Sequence, residues 1–143
     1  MKKLSGGKSL AVFAVAGGAI LASVAPVMAD VSAQSPSQSL VRVEAPANLR
    51  AKGATIEVDV TYVCPVTSTS AYMYVSATQA VGNGNVATGG GSKGVTCTGG
   101  FETVKVTVAA STKAFVKGNK AYVKADLQAY PNNAFDERYI GVK

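Results

Sequence analysis

The sequence predicts an all-β domain, an antiparallel immunoglobulin-like β-sandwich of about seven strands with one disulfide. Three observations lead there. Beyond Ser39 every apolar pattern has period two, which sends alternate side chains to opposite faces of a strand. Turn signals such as AKG, GNG, TGG, KGN and YPNN recur between these runs. No stretch has helical periodicity, and seven half-buried strands in roughly 100 residues suit a sandwich. A barrel is the alternative, and the strand count favours the sandwich.

The first element is a leader. Lys2, Lys3 and Lys8 precede an apolar stretch from Leu10 to Val24, Pro26 breaks it, and Val27 and Ala29 occupy the small-residue positions of a cleavage site. The apolar stretch is shorter than the roughly 20 residues a spanning helix needs, and Gly17 and Gly18 weaken it. Residues 1–29 are therefore expected to be a removed signal peptide, and the mature form to have no membrane span. No cysteine follows closely, which argues against a lipid anchor. The expected location is secreted or extracellular, with association at the cell surface an option. Removing 29 of the 143 residues leaves 114, enough for one domain with a core of its own.

The leader also carries three of the 14 basic residues. Without it, 11 basic residues face 8 acidic ones, a net charge of +3. The lysines are scattered, whereas a nucleic-acid partner wants a basic patch, so none is expected. The absence of histidine removes Ser-His-Asp and Cys-His catalysis and most zinc and copper sites. Residues 89–94 read GGGSKG, which is not a phosphate-binding loop. The wider segment GNGNVATGGGSKG reads as a flexible hairpin connection.

Residues 30–39, DVSAQSPSQS, are polar and aperiodic and read as a disordered spacer before a β-sandwich domain at 40–143. Leu40 to Ala45 is a short first strand with Val41 and Val43 on one face, and NLRAKG is a turn. From Thr55 to Cys64 the alternation is strict: Ile56, Val58, Val60, Tyr62 and Cys64 point one way, and Thr55, Glu57, Asp59 and Thr61 the other. The first set is the core face, because the second holds two carboxylates. Tyr72 to Gln79 is a third strand, Val86 to Thr88 a short edge strand and Val95 to Cys97 another. Glu102 to Ala109 aims Val104, Val106 and Val108 inward. Lys120 to Tyr130 buries Ala121, Val123, Ala125 and Leu127, and the closing DERYIGVK buries Ile140 and Val142. Tyr122, near the start of its strand, is placed to hydrogen-bond back to the preceding corner, as in immunoglobulin-like sixth strands.

Cys64 lies on the core side of its strand, and Cys97 shares the parity of Val95. An even pair in an oxidising compartment permits one intramolecular bridge. Closing this 33-residue separation is worth on the order of 3.5 kcal/mol in the chain-entropy model. A redox role would need nearby cations or a C-x-x-C partner, and neither flanks these residues. The spacing departs from that of antibody domains, and no tryptophan is present to pack on the bridge.

From VTYVCP through AYMYVSATQ, GVTCTGG, ETVKVTVAA and FVKGNKAYVKADL the chain resembles a group of small secreted bacterial β-sandwich proteins with one disulfide, whose strands follow a TYxCP…VTCTG pattern. The resemblance covers roughly residues 54 to 130. It implies an exported one-disulfide β-sandwich of immunoglobulin-like type and, as that group has no assigned activity, transfers no catalytic or binding residues.

Three candidate surfaces remain. Parity puts Tyr62 in the core and Tyr72, Tyr74, Tyr122, Tyr130 and Tyr139 on one exposed sheet face together with Lys124. Tyrosine offers contact area with a polar tip, and flat rings stack on sugars. Its high β propensity alone would also place it there. Asn132, Asn133, Asp136 and Glu137 could offer oxygen ligands, but their spacing matches no EF-hand loop and a solvated turn accounts for them. Glu57 and Asp59 could form a carboxylate pair, yet no cleft is implied. The expectation is a non-enzymatic module without cofactor or metal, which binds or adheres to cell-surface or extracellular material, its partner an extracellular protein or glycan. The alternative is a secreted inhibitor or effector acting through a disulfide-anchored loop at 65–96.

Overall fold

The structure is a computed structural model that describes residues 38–68 and 70–143. The signal-peptide reading of residues 1–29 lies outside the described residues, as does the spacer reading up to residue 37. Among the described residues eight strands are formed: β1 (Leu40–Val43), β2 (Asn48–Arg50), β3 (Thr55–Val63), β4 (Ala71–Gly82), β5 (Asn85–Val95), β6 (Glu102–Ala110), β7 (Lys120–Gln128) and β8 (Ala134–Gly141). They pair antiparallel in the order β1-β3-β6-β5-β4-β7-β8, with β2 also on β3. The segment expected to be a simple turn, NLRAKG, holds β2 followed by a 3-10 turn at Ala51–Gly53. Three residues are too few for alternation to show in a sequence.

Period-two patterning builds the core as expected. Ile56, Val58, Val60, Tyr62 and Cys64 of β3 and its extension are all buried, while Glu57, Asp59 and Thr61 between them are not; Val63, at the strand's end, is buried as well. Met73, Val75 and Ala77 of β4, Val104, Val106 and Val108 of β6, and Ala121, Val123, Ala125 and Leu127 of β7 complete the interior with Ile140 and Val142. Each fully buried valine, leucine or isoleucine contributes about 1.5–3 kcal/mol relative to an exposed one.

The glycine-rich segment corrects two expectations. It is neither a flexible connection nor two short strands, but the single long strand β5, paired with β4 from Val95 opposite Ala71 to Asn85 opposite Gly82. The span 65–96, closed at its base by the Cys64–Cys97 disulfide, is therefore mostly a β-hairpin where a loop was expected. Its tip is Asn83-Gly84, both with positive φ, the conformation that asparagine and glycine tolerate in tight hairpins. The reason for the other glycines lies across the sheet. A Cβ on Gly89 or Gly91 would overlap the carbonyl oxygens of Ala109 and Thr107 respectively. Without side chains, β5 comes close against β6, with which it shares just two residue pairs, Gly89–Ala110 and Gly90–Ala109.

The strand path is thus narrow where β5 meets β6. At the opposite margin its two ends are tied together. Ala47 bridges Val142 in parallel, with Ala47 N–H donating to the Gly141 carbonyl at 2.9 Å and Lys143 N–H to the Ala47 carbonyl at 3.0 Å. At the end of β1, the Val43 N–H donates to Asp136 Oδ2 at 2.7 Å, so a side chain of β8 caps the backbone of β1.

The connection from β6 to β7 holds the largest fully buried side chain, Phe115, beside the bare backbone of Gly89. Gln79, the next inward position of β4 after Ala77, is also buried. Its Nε2 donates to the carbonyls of Val116 at 2.9 Å and Asn119 at 3.2 Å, and its Oε1 accepts from the Val116 N–H at 2.8 Å. A buried amide with three partners satisfies a loop that has no strand to satisfy it.

Candidate functional site

The outer face of β5-β4-β7-β8 is set by register. Ser92, Tyr74, Asp126 and Phe135 lie in one cross-strand row, and Gly94, Tyr72 and Gln128 in the row beside it. On the other side of the Tyr74 row come Gly90, Ser76, Lys124 and Glu137, and then Thr88, Thr78, Tyr122 and Tyr139. Sequence parity placed Tyr72, Tyr74, Tyr122, Tyr139 and Lys124 on one face, and the structure brings these five together. Tyr130 is not among the strand rows. It stands in the turn after β7, 83% exposed, because the chain leaves the sheet at Gln128. Phe135, which sequence reasoning passed over, joins the face. Its signal was present: it shares the parity of Glu137 and Tyr139, one residue upstream of where the strand was taken to start.

The rings fall into two pairs. Tyr72 and Tyr74 stand 6.4 Å apart between centroids, and Tyr122 and Tyr139 stand 5.2 Å apart across β7 and β8. Lys124 lies between them, its Nζ 5.3 Å from the Phe135 ring centre and 3.3 Å from Asp126 Oδ2. The Tyr122 hydroxyl interacts with the Glu137 carboxylate, which raises the phenol's pKa from its ordinary value by favouring the protonated donor. Tyr122 was expected to hydrogen-bond back to the preceding corner. Its outward parity turns it instead to Tyr139 and Glu137.

Beside Tyr74 the face is hollow. Tyr74, Ser76, Gly90, Gly91, Ser92, Lys124 and Asp126 surround a trough of about 480 Å³. Its floor is low because β5 presents only Gly90 and Ser92 outward there, next to Ser76 of β4. A second hollow of about 270 Å³ lies beyond Tyr72, bounded by Gly94, Val95, Thr96 and Ser70. Gly90, the outward-facing member of the same glycine run, thus leaves a depression bordered by Tyr74.

Near that second hollow the disulfide joins Cys64 to Cys97, with Cα atoms 5.0 Å apart. Cys64 is wholly buried and Cys97 half-buried. The bridge links the chain just after β3 to the chain just after β5. Tyr62 reinforces it, its hydroxyl donating to the Thr96 carbonyl at 3.0 Å and to Glu102 Oε2 at 3.2 Å. Burial, and then the Glu102 carboxylate, push the Tyr62 pKa up.

The remaining candidates are engaged in structural contacts. Asp136 accepts from Val43 N–H and pairs with Arg138 at 2.7 Å, and Asn133 Oδ1 accepts from the Ala129 N–H at 3.1 Å. Glu57 pairs with Arg50 at 2.9 Å and Asp59 with Lys105 at 2.8 Å. Among the described residues no group of three or more His, Cys, Asp or Glu side chains converges on a point, and no helix is long and apolar enough to cross a membrane. The chain matches no protein-family model and no curated protein sequence.

Proposed function

We propose that the protein is an exported, non-catalytic binding module, freed of residues 1–29, that adheres to cell-surface or extracellular material through the outer face of β5-β4-β7-β8. The observation that carries this reading is the row structure of that face. Five aromatic rings, Tyr72, Tyr74, Tyr122, Phe135 and Tyr139, project from three neighbouring strands, with Tyr74 at the edge of a shallow depression. Tyrosine and phenylalanine on the outside of a sheet offer large contact area at little loss of rotamer freedom, the property that enriches them in binding patches. The other outer face, on β3 and β6, presents Thr61, Thr103, Lys105 and Asp59, already joined to one another across the strands. The leader and the disulfide agree with export, since such bridges persist in oxidising compartments.

The test is retention of the mature protein, Asp30 to Lys143, on insoluble cell walls and on immobilised extracellular proteins. The triple variant Tyr72→Ser/Tyr74→Ser/Tyr122→Ser should fold with an unchanged far-ultraviolet spectrum and lose retention at least tenfold. Retention equal to that of the wild type would remove the face from consideration.

A further inference from the structure

We propose that the trough beside Tyr74 is a subsite for a neutral sugar ring of a polysaccharide, a deepening that rests on the sheet-face reading above. Its size comes first. About 480 Å³ lies within the range of roughly 300–1,000 Å³ typical of small-molecule sites. Its lining comes next. One wall is the exposed Tyr74 ring, and an aromatic face packs on the C–H face of a pyranose. The floor at Gly90 has no side chain, so a ring can settle close to the backbone.

The polar groups then select the ligand class. Lys124 and Asp126 line the trough as a pair 3.3 Å apart, and their charges cancel. An anionic ligand would meet the Asp126 carboxylate, and a cationic one the Lys124 ammonium. A neutral diol suits both, one hydroxyl accepting from Lys124 Nζ while its neighbour donates to Asp126. The hydroxyls of Ser76 and Ser92, which both donate and accept, extend the same chemistry. Tyr72 and the hollow beside Gly94 continue in the direction of β5, so an extended chain could run on from the trough over the next row.

Gly90 gives a clean test. A Cβ there would meet only the Val75 carbonyl oxygen at 3.8 Å, an ordinary contact. The residue lacks the positive φ that would strain a side chain. Gly90→Val should therefore leave β5 paired while its methyl groups narrow the trough beside Tyr74. Binding of the mature protein to neutral hexasaccharides of glucose, xylose and N-acetylglucosamine would be measured by calorimetry, with a polyuronate as the anionic comparison. Gly141→Ala, in open space on β8, serves as the control. The expected result is binding of at least one neutral oligomer, weakened tenfold or more by Gly90→Val and by Tyr74→Ser and unchanged by Gly141→Ala, with the thermal midpoint of Gly90→Val preserved. Binding of neutral oligomers that survives Gly90→Val would overturn the trough while leaving the sheet face, which the triple tyrosine variant tests on its own. Binding of the polyuronate alone, or of no oligomer at all, would overturn the neutral-sugar assignment.

Discussion

Gly91 of β5 lies so close to the carbonyl oxygen of Thr107 on β6 that a Cβ at this position would overlap it. At the neighbouring Gly90 a Cβ would make only an ordinary contact, with the Val75 carbonyl oxygen at 3.8 Å. The two residues are chemically identical and adjacent, yet they should respond oppositely to the same change. Gly91→Ala forces β5 away from backbone atoms that cannot rotate aside, and we expect a loss of about 2–4 kcal/mol, at or above the usual range for overpacking. Gly90→Ala should be neutral or slightly stabilising, since alanine narrows the unfolded ensemble. Urea unfolding of the two variants decides the matter, and equal midpoints would contradict the close approach.

This pair also shows why β5 was illegible in the sequence when β3 was plain. Ile56 to Cys64 alternates because one face meets a core and the other meets water, and that difference is written in side chains. At Gly89 to Gly91 the neighbour is another backbone, and the fitting side chain is none at all. A run of glycines reads as a turn because the demand for positive φ is the commoner reason for them. Phe115 was hidden for a related cause, since a short apolar cluster in a loop, Ala114 to Val116, has no period. The aromatic face was legible in parity alone at Tyr72, Tyr74, Tyr122 and Tyr139. The trough beside them was not, because its depth depends on which residues of β5 stand opposite β4.

Gln79 should behave as a keystone of the β6–β7 connection. Gln79→Leu is close to isosteric and apolar, yet it strands the Val116 N–H and C=O that the amide now satisfies, whereas the Asn119 C=O keeps the Val142 N–H as a donor. Leaving buried backbone groups unmet costs about 1–3 kcal/mol each in the worst case. A total loss of about 2–4 kcal/mol is expected, with water reaching part of the loop. Hydrogen exchange offers the sharper readout: the Val116 amide should lose protection in Gln79→Leu well before the amides of β3 do.

Reducing the Cys64–Cys97 bridge removes a cross-link over a 33-residue separation. The chain-entropy model gives about 3.5 kcal/mol for that closure, a large part of a typical net stability of roughly 5–15 kcal/mol. The double variant Cys64→Ala/Cys97→Ala should therefore show a lower urea midpoint with a similar β-sheet spectrum, because the hairpin of β4 and β5 is paired along its length independently of the bridge. Non-reducing mass analysis of the wild-type chain should detect no free thiol.

Alkaline solution should single out Tyr62. Its phenol is buried beside Glu102, and both effects raise its pKa in the fold above the ordinary 10.0. Once the pH passes about 10, tyrosine in the unfolded chain ionises first, and the folded state then binds more protons than the unfolded one. Stability attributable to this group is complete below that pH and is lost as the pH climbs through the raised value. Tyr62→Phe gives up the hydrogen bonds to Thr96 and Glu102, a cost of about 1 kcal/mol at neutral pH. It should then lose less than the wild type between pH 8 and pH 11. Urea midpoints at the two pH values measure the difference, and parallel losses in both proteins would rule the mechanism out.

The seam between the first and last strands depends on one carboxylate. Asp136 of β8 accepts from the Val43 N–H at 2.7 Å and is held in place by Arg138, whose Nε and terminal nitrogen lie 2.8 and 2.7 Å away. β1 is only four residues long and, among the described residues, takes its ladder bonds from β3 alone, so its other edge would otherwise meet water or another chain. Hydrogen bonds to a charged acceptor contribute about 1.5–3 kcal/mol, and the arginine is partly solvated, which discounts its share. Asp136→Ala should cost about 1–2 kcal/mol and act locally. The Val43 amide should exchange faster while the Ala47–Val142 bridge keeps its protection, because that closure rests on backbone atoms. Asp136→Asn keeps an acceptor oxygen and should recover part of the loss; recovery by Asn together with an unprotected Val43 amide in Ala is the pattern a side-chain cap produces. A uniform rise in exchange across β8 would instead mean that Asp136 supports the strand as a whole.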